Sequence, residues 1–203
     1  KELIPNKYHY KVEQMLAIGK ETFCNNEIDL NKDHNVFNIC YAGNLNEEKG
    51  LGIVLKTFAR LHSKNKSIKL TIIGSGKDEV KFKKVAVKYK INNNLNWLGK
   101  IEQNKVLKIF KNSDLLLFPS LRDSGGFVVL EALSQSLPVA TLNIGGPGLM
   151  IDNDCGIKID VNKKDENEII YELSTKINEL IDNDSLIIYK RKKSLEKVNN
   201  FTW

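Results

Sequence analysis

Two carboxylates, a pair of glycines and a lysine are the residues whose types and spacing can do chemistry. The run Ser120-Leu121-Arg122-Asp123-Ser124-Gly125-Gly126-Phe127 follows an apolar stretch that stops at Pro119 and leads into an apolar segment holding Glu131. Paired glycines at a helix start let ligand phosphates approach bare amides, and the helix dipole adds to the attraction for a diphosphate. The charge of Asp123 opposes that attraction, so Asp123 needs a task elsewhere on the ligand. If the stretch is mostly helical, its eight residues at ~1.5 Å each set Asp123 and Glu131 ~12 Å apart. That exceeds the ~5–9.5 Å between two carboxylates acting on one glycosidic bond, which excludes a hydrolase acid–base pair. The two acids can instead hold hydroxyl groups at opposite ends of a long ligand with its phosphates on the amides between them, the layout of a nucleotide sugar.

Strands and helices must position these residues, and the punctuation of the chain is regular enough to trace them. Val36 to Ala42, Ile68 to Ile73, Leu95 to Leu98, Leu115 to Phe118, Pro138 to Leu142 and Gly156 to Ile159 read as strands, most of them closed by Gly or Pro. Helical spacing appears at Leu51, Val54, Leu55, Phe58 and Leu61, at Phe82, Val85, Ala86 and Tyr89, and at Val106, Leu107, Ile109 and Phe110. Further helices are expected from about Gly125 to Ser134, along Ile169 to Ile181, and along Leu186 to Val198. Leu115 to Phe118 has no polar alternation, as suits a central parallel strand buried on both faces. Alternating strands and helices predict an α/β domain with a Rossmann-like, doubly wound parallel sheet over 34–203. Residues 1–33, with a short helix near Val12 to Ile18, read as a lead-in from a missing N-terminal domain. In such a sheet ligands bind beyond the carboxyl ends of the strands, where the residues singled out above lie.

Composition narrows the function classes. With 203 residues, 41% hydrophobic and 28% charged, the chain is that of an ordinary folded domain, and its longest apolar run is far short of the ~20 residues of a membrane-spanning helix. No apolar signal-peptide core opens the chain, so the cytoplasm is the expected address. The net charge of +6 does not make a nucleic-acid binder, because 28 of the 31 basic residues are Lys and only Arg60, Arg122 and Arg191 offer the planar fork that reads bases. Two lysine clusters, Lys77 to Lys90 and Lys190 to Lys197, lie on helical patterns and read as solvated faces. The sharper alternative is peripheral contact with the anionic inner leaflet of a membrane. Cys24, Cys40, Cys155, His9, His34 and His62 stand apart and show neither metal-ligand nor disulfide spacing.

The Asp123–Glu131 segment, preceded by Phe118-Pro119-Ser120 and followed by Leu137-Pro138-Val139, resembles the retaining glycosyltransferases of the GT4 type, which have two facing Rossmann-like halves, the GT-B fold. The resemblance extends to Gly43 through Lys49-Gly50, Gly74-Ser75-Gly76, Trp97-Leu98-Gly99, Gly145-Gly146 and Phe201-Thr202-Trp203, in family order over roughly 36–203. It implies that this chain is the C-terminal, donor-binding half of such an enzyme. That enzyme would pass a sugar from a nucleotide diphosphate to a glycan or lipid-linked acceptor, in cell-surface polysaccharide biosynthesis. By the resemblance, Lys49 contacts the donor diphosphate and steadies the leaving group, and Asp123 stands near the transferred sugar. Amides from about Gly125 to Val128, including Gly126 and Phe127, hold phosphate, Glu131 binds the ribose, and backbone from Gly99 to Ile101 receives the base. Gly43, Asn44, Gly74, Ser75, Ser120, Arg122 and Ser124 complete the expected donor site. No metal is expected, since a lysine and helix amides can meet the diphosphate charge.

The sequence departs from the family at three positions. Asn44 stands where an Arg is frequent, with Arg122 as a candidate substitute; Asp123 replaces the usual Glu; and Ser136 replaces a frequent Gly, a change of structural kind. Taken singly, the residues also have plain readings: Asp123 or Ser124 as a helix cap, Glu131 as a solvated side chain, Lys49 as a surface lysine, and Gly145-Gly146-Pro147-Gly148 as a loop. At the level of the whole chain the alternatives are a sugar epimerase of the same fold, or a module that binds a nucleotide or protein and catalyses nothing.

Overall fold

The computed structural model describes residues 36–65 and 67–201. The lead-in over 1–33 with its helix near Val12 to Ile18, together with Cys24, His9, His34 and Thr202-Trp203, lies outside the described residues. Six strands form one parallel sheet: β1 (Phe37–Ala42), β2 (Ile68–Ile73), β3 (Leu95–Gly99), β4 (Leu115–Phe118), β5 (Val139–Leu142) and β6 (Gly156–Ile159). Their spatial order is β3-β2-β1-β4-β5-β6, and every pairing is parallel. The chain builds outward from β1 to β3, then returns to β4 beside β1 and builds the other way. The reversal makes the β1–β4 junction the switch point of the sheet, where crossovers diverge and leave a crevice. All four residues of β4 are buried, as its unbroken apolar run Leu-Leu-Leu-Phe requires.

The helices are α1 (Leu51–Lys64), α2 (Glu79–Lys88), α3 (Gln103–Asn112), α4 (Phe127–Ser134), α5 (Gly145–Met150), α6 (Glu166–Ile181) and α7 (Asp184–Val198). Helix α1 packs against α2 and α6, and α4 against α3, α5 and α7, with α6 and α7 also in contact. Helix α6 opens on a full capping box, in which Asp165 and Glu168 exchange side-chain and backbone bonds. The Asn183 side chain caps α7 by accepting from the Leu186 amide.

Three expectations are corrected. Helix α4 begins at Phe127, two residues later than expected, because Gly126 adopts the left-handed φ of 66° and stands outside the helix as its cap. Asp123 therefore precedes the helix, and a spacing from Glu131 counted by helical rise does not apply. The second correction is at Gly145 to Gly148, which begins the short helix α5 instead of forming a loop; Pro147 lies in its first turn, where a missing N–H costs nothing. A Cβ at Gly146 would stand 2.6 Å from the Ser124 carbonyl oxygen, so the glycine lets α5 touch the 120–126 loop, and its amide donates to the Asp123 carbonyl at 2.9 Å. The third concerns Lys190 to Lys197, which is a solvated face only in part: Lys190 and Arg191 are buried, while Lys192 is exposed. The Lys190 ammonium donates to the carbonyls of Asn153 and Gly156, and burial holds its pKa below the ordinary value. Ser136 has a φ of 57° and a buried hydroxyl without a hydrogen-bond partner, which explains in structural terms why a glycine fits that position better.

Candidate functional site

A cleft of about 510 Å³ opens at the switch point, between the carboxyl ends of β1, β2 and β4, the start of α3 and the start of α4. Lys49 reaches it from a short 3-10 turn, Glu47–Lys49, whose cap is the Asn46 side chain accepting from the Lys49 amide at 3.0 Å. The turn is fastened to the loop after β4: the Glu48 carbonyl accepts from the amides of Leu121 (2.8 Å) and Arg122 (3.2 Å) and from the Ser120 hydroxyl (3.3 Å). Gly50 closes the turn with a φ of 76°, and a Cβ there would stand 2.1 Å from the Pro119 carbonyl oxygen. Only glycine permits that approach, so the approach sets how near Lys49 comes to Asp123.

At the centre of the cleft the Lys49 ammonium donates to the Asp123 carboxylate at 2.7 Å and to the Arg122 carbonyl at 3.0 Å. The other oxygen of Asp123 accepts from the amides of Gly125 at 3.1 Å and Gly126 at 2.7 Å. Burial favours the neutral acid, but the Lys49 ammonium and the Gly126 and Gly125 amides outweigh it and hold the Asp123 carboxyl below its ordinary pKa. Beneath the pair lies Tyr41, fully buried, its hydroxyl donating to the Asn44 carbonyl at 3.1 Å. Burial and then the charge of Asp123 push its phenol well above the ordinary range. Across the cleft Glu131 accepts a bond from the Gln103 side chain at the start of α3, which ties the walls formed by α3 and α4.

Most of the expected residues meet here. Gly43, Asn44, Lys49, Gly74, Ser75 and Ile101 line the cleft, and so do Asp123, Gly126, Phe127, Val128 and Glu131. Gly99 stands one residue behind the wall, where its carbonyl accepts from the Gly74 amide at 2.8 Å. Ser120 is buried and fastens the loop; Ser124 and Gly125 belong to the loop without lining the cleft. Arg122 also does not line it. Its exposed guanidinium lies 3.4 Å from Glu48. Of the amides expected to hold phosphate, from Gly125 to Val128, those of Gly125 and Gly126 donate to Asp123. The amides of Phe127 and Val128 open α4 and have no partner within the helix.

Sequence reasoning missed Lys100, Gln103 and Tyr41. Lys100 lines the cleft directly after β3, and attention to side chains as well as backbone after that strand would have found it. Nothing local marks Gln103 or Tyr41, since one is defined by contact with α4 and the other by burial under Asp123.

A ligand-sized cleft at the switch point of a doubly wound parallel sheet defines a Rossmann-like domain. The chain belongs to the group 1 glycosyl transferases: a family model described as Glycosyl transferases group 1 matches residues 25–197. An uncharacterised glycosyltransferase of Methanocaldococcus jannaschii is 32% identical over 138 residues, covering 68% of this chain and 32% of the relative. The chain thus spans about a third of that relative's length. Among solved structures, the pneumococcal O-GlcNAc transferase GtfA, in complex with UDP and GlcNAc, superposes with a TM-score of 0.77 at 19% identity, over 86% of this chain and 34% of that one. The C-terminal domain of a group 1 family glycosyl transferase (LpcC) from Francisella tularensis superposes with a TM-score of 0.71 at 16% identity, over 87% of this chain and 93% of that one. These likenesses establish the shared fold.

Proposed function

We propose that this chain is the donor-binding, C-terminal half of a retaining glycosyltransferase with the GT-B fold. It holds a nucleotide diphosphate sugar in the cleft at Lys49 and the start of α4, needs no metal, and works with an N-terminal domain that carries a glycan or lipid-linked acceptor. Cell-surface polysaccharide synthesis is the setting that fits such acceptors. The observation that carries the reading is the Lys49–Asp123 pair at the head of α4. Lys49 and the residues that open α4, Phe127 and Val128, line one cleft suited to phosphate oxygens, and charge on a departing diphosphate grows toward the transition state, where such groups count most. Glu131, on the far wall, suits ribose hydroxyls, with Gln103 holding its carboxylate in place.

In this reading the Asp123 carboxylate, bonded to Lys49 and to the Gly125 and Gly126 amides, competes with the donor diphosphate for the same groups. Carboxylate and diphosphate cannot share one lysine without repulsion, so donor entry turns the Asp123 carboxylate away and hands Lys49 and the Gly125 and Gly126 amides to the ligand. The displaced carboxylate then faces the sugar side, as the resemblance implies for the residue at this position. The test is thermal unfolding with millimolar UDP, GDP and ADP, UDP being the nucleotide bound in the GtfA structure. One of them raises the melting temperature by a few degrees, since ligand at a hundred times Kd contributes about 2.7 kcal/mol. No shift with any of the three contradicts the reading.

A further inference from the structure

The two lysine clusters differ once their partners are known. In α7 four of the five cations are engaged: Lys190 with backbone carbonyls, Arg191 with Asp114, Lys193 with Glu196 and Lys197 with Asp152. The stretch 77–90, which contains α2, holds six lysines and two acids. Lys81 pairs with Glu47 and Lys83 with Glu79, but Lys84, Lys88 and Lys90 make no ion pair among the described residues.

The placement of the apolar residues on α2 is the second observation. Phe82 and Ala86 are buried and mark its inward pole. At about 100° per residue the opposite pole consists of Val80, Lys84, Val87 and Lys88. Val80 is 68% exposed and Val87 64% exposed, and Tyr89 just past the helix end is 40% exposed. The outward pole of a surface helix is ordinarily polar, and valine there lowers helix propensity while burying nothing inside this domain. Alternating valines and unpaired lysines do suit one surface. Lysine stems lie along apolar material with their ammonium groups at phosphates, while short apolar side chains and a tyrosine enter the boundary between headgroups and acyl chains.

We propose that the outward pole of α2 docks on an anionic phospholipid bilayer. The charge complementarity is concentrated on α2, because among the cations of α7 only Lys192 is exposed without an ion pair among the described residues. A lysine near an anionic surface is worth roughly a fivefold change in partition, so three unpaired lysines and two valines give reversible peripheral binding. No residue of α2 lines the cleft at Lys49, so the docking surface is independent of the donor-binding reading and can fail or stand without it.

The experiment is co-sedimentation of the chain with vesicles of phosphatidylcholine alone or mixed with phosphatidylglycerol, at low and at physiological salt. The chain sediments with the mixed vesicles only, and less so as salt rises. Lys84→Glu, and separately Val80→Asp with Val87→Asp, lower the partition roughly tenfold or more. Lys192→Glu on α7 makes the same charge change as Lys84→Glu at an exposed residue without an ion pair and alters the partition by less than about twofold. Circular dichroism melts identify the variants that remain folded. The proposal is overturned if the mixed vesicles bind nothing, or if Lys192→Glu costs as much as Lys84→Glu, which would mean attraction to overall charge. It is equally overturned if the valine variants bind as well as the parent while soluble polyglutamate competes fully, which would point to an acidic protein surface.

Discussion

Strand β4 has an aspartate on either side, Asp114 immediately before it and Asp123 in the loop after it, and each is paired with a cation. Asp114 meets Arg191 at 2.9 Å, and the side chains of the pair are 1% and 6% exposed. Its second oxygen accepts from the Asn38 amide at 2.8 Å, and the guanidinium also donates to the Ser113 carbonyl at 2.7 Å. Every strong partner at that end comes from the fold, and none can be exchanged for a ligand. Asp123 and Lys49 have the same chemistry and a similar distance, 2.7 Å, but side chains 17% and 22% exposed and a cleft in front of them. The difference follows from their positions on one strand. At the amino end Arg191 of α7 is buried against Ser113 and Asp114 and locks the pair, while at the carboxyl end diverging crossovers leave a crevice, so that pair can trade partners.

The comparison breaks if the two pairs respond alike to mutation. Arg191→Ala carries the largest expected effect, because it leaves a buried carboxylate without its counter-charge; a loss of roughly 3–5 kcal/mol in denaturant unfolding is expected. Nucleotide affinity of the molecules that remain folded should not change. Lys49→Ala should do the reverse. Its pair is partly open to water, so stability should move by at most about 1 kcal/mol. In the proposed two-domain transferase, steady-state kcat should fall by about 10²–10³, the usual consequence of removing one group that meets developing charge. Similar stability losses in the two variants, or wild-type turnover in Lys49→Ala, would dissolve the contrast between the ends of β4.

Much of this was legible in the residues, for reasons that also explain what was not. Ile68–Ile73, Leu115–Phe118 and Gly156–Ile159 have the strand boundaries expected of them; Gly74 and Pro119 end the first two, and the polar Asp160 ends the third. Lys49, Asp123 and Glu131 do gather at one cleft, because residues following strands of one parallel sheet share its carboxyl edge. The start of α4 was misplaced by two residues because a carboxylate, through the Gly125 and Gly126 amides, holds the chain in a turn there. Helix α5 was missed because a Gly-Gly-Pro-Gly start hides any helical period. Periodicity cannot tell the buried, partnered cations Lys190 and Arg191 from exposed ones. The Gln103–Glu131 bond joins residues 28 positions apart and has no local signature.

The central claim is that Asp123 stands where the donor's diphosphate binds. Calorimetric titration of the nucleoside diphosphate that shifts the melting temperature most, into the parent chain and into Asp123→Asn, tests it directly. Asparagine keeps the size of the side chain and removes the charge that competes for Lys49, so the variant should bind several-fold more tightly, about 1 kcal/mol. A folded Asp123→Asn that loses nucleotide binding, or binds it with the parent's affinity, would contradict the account.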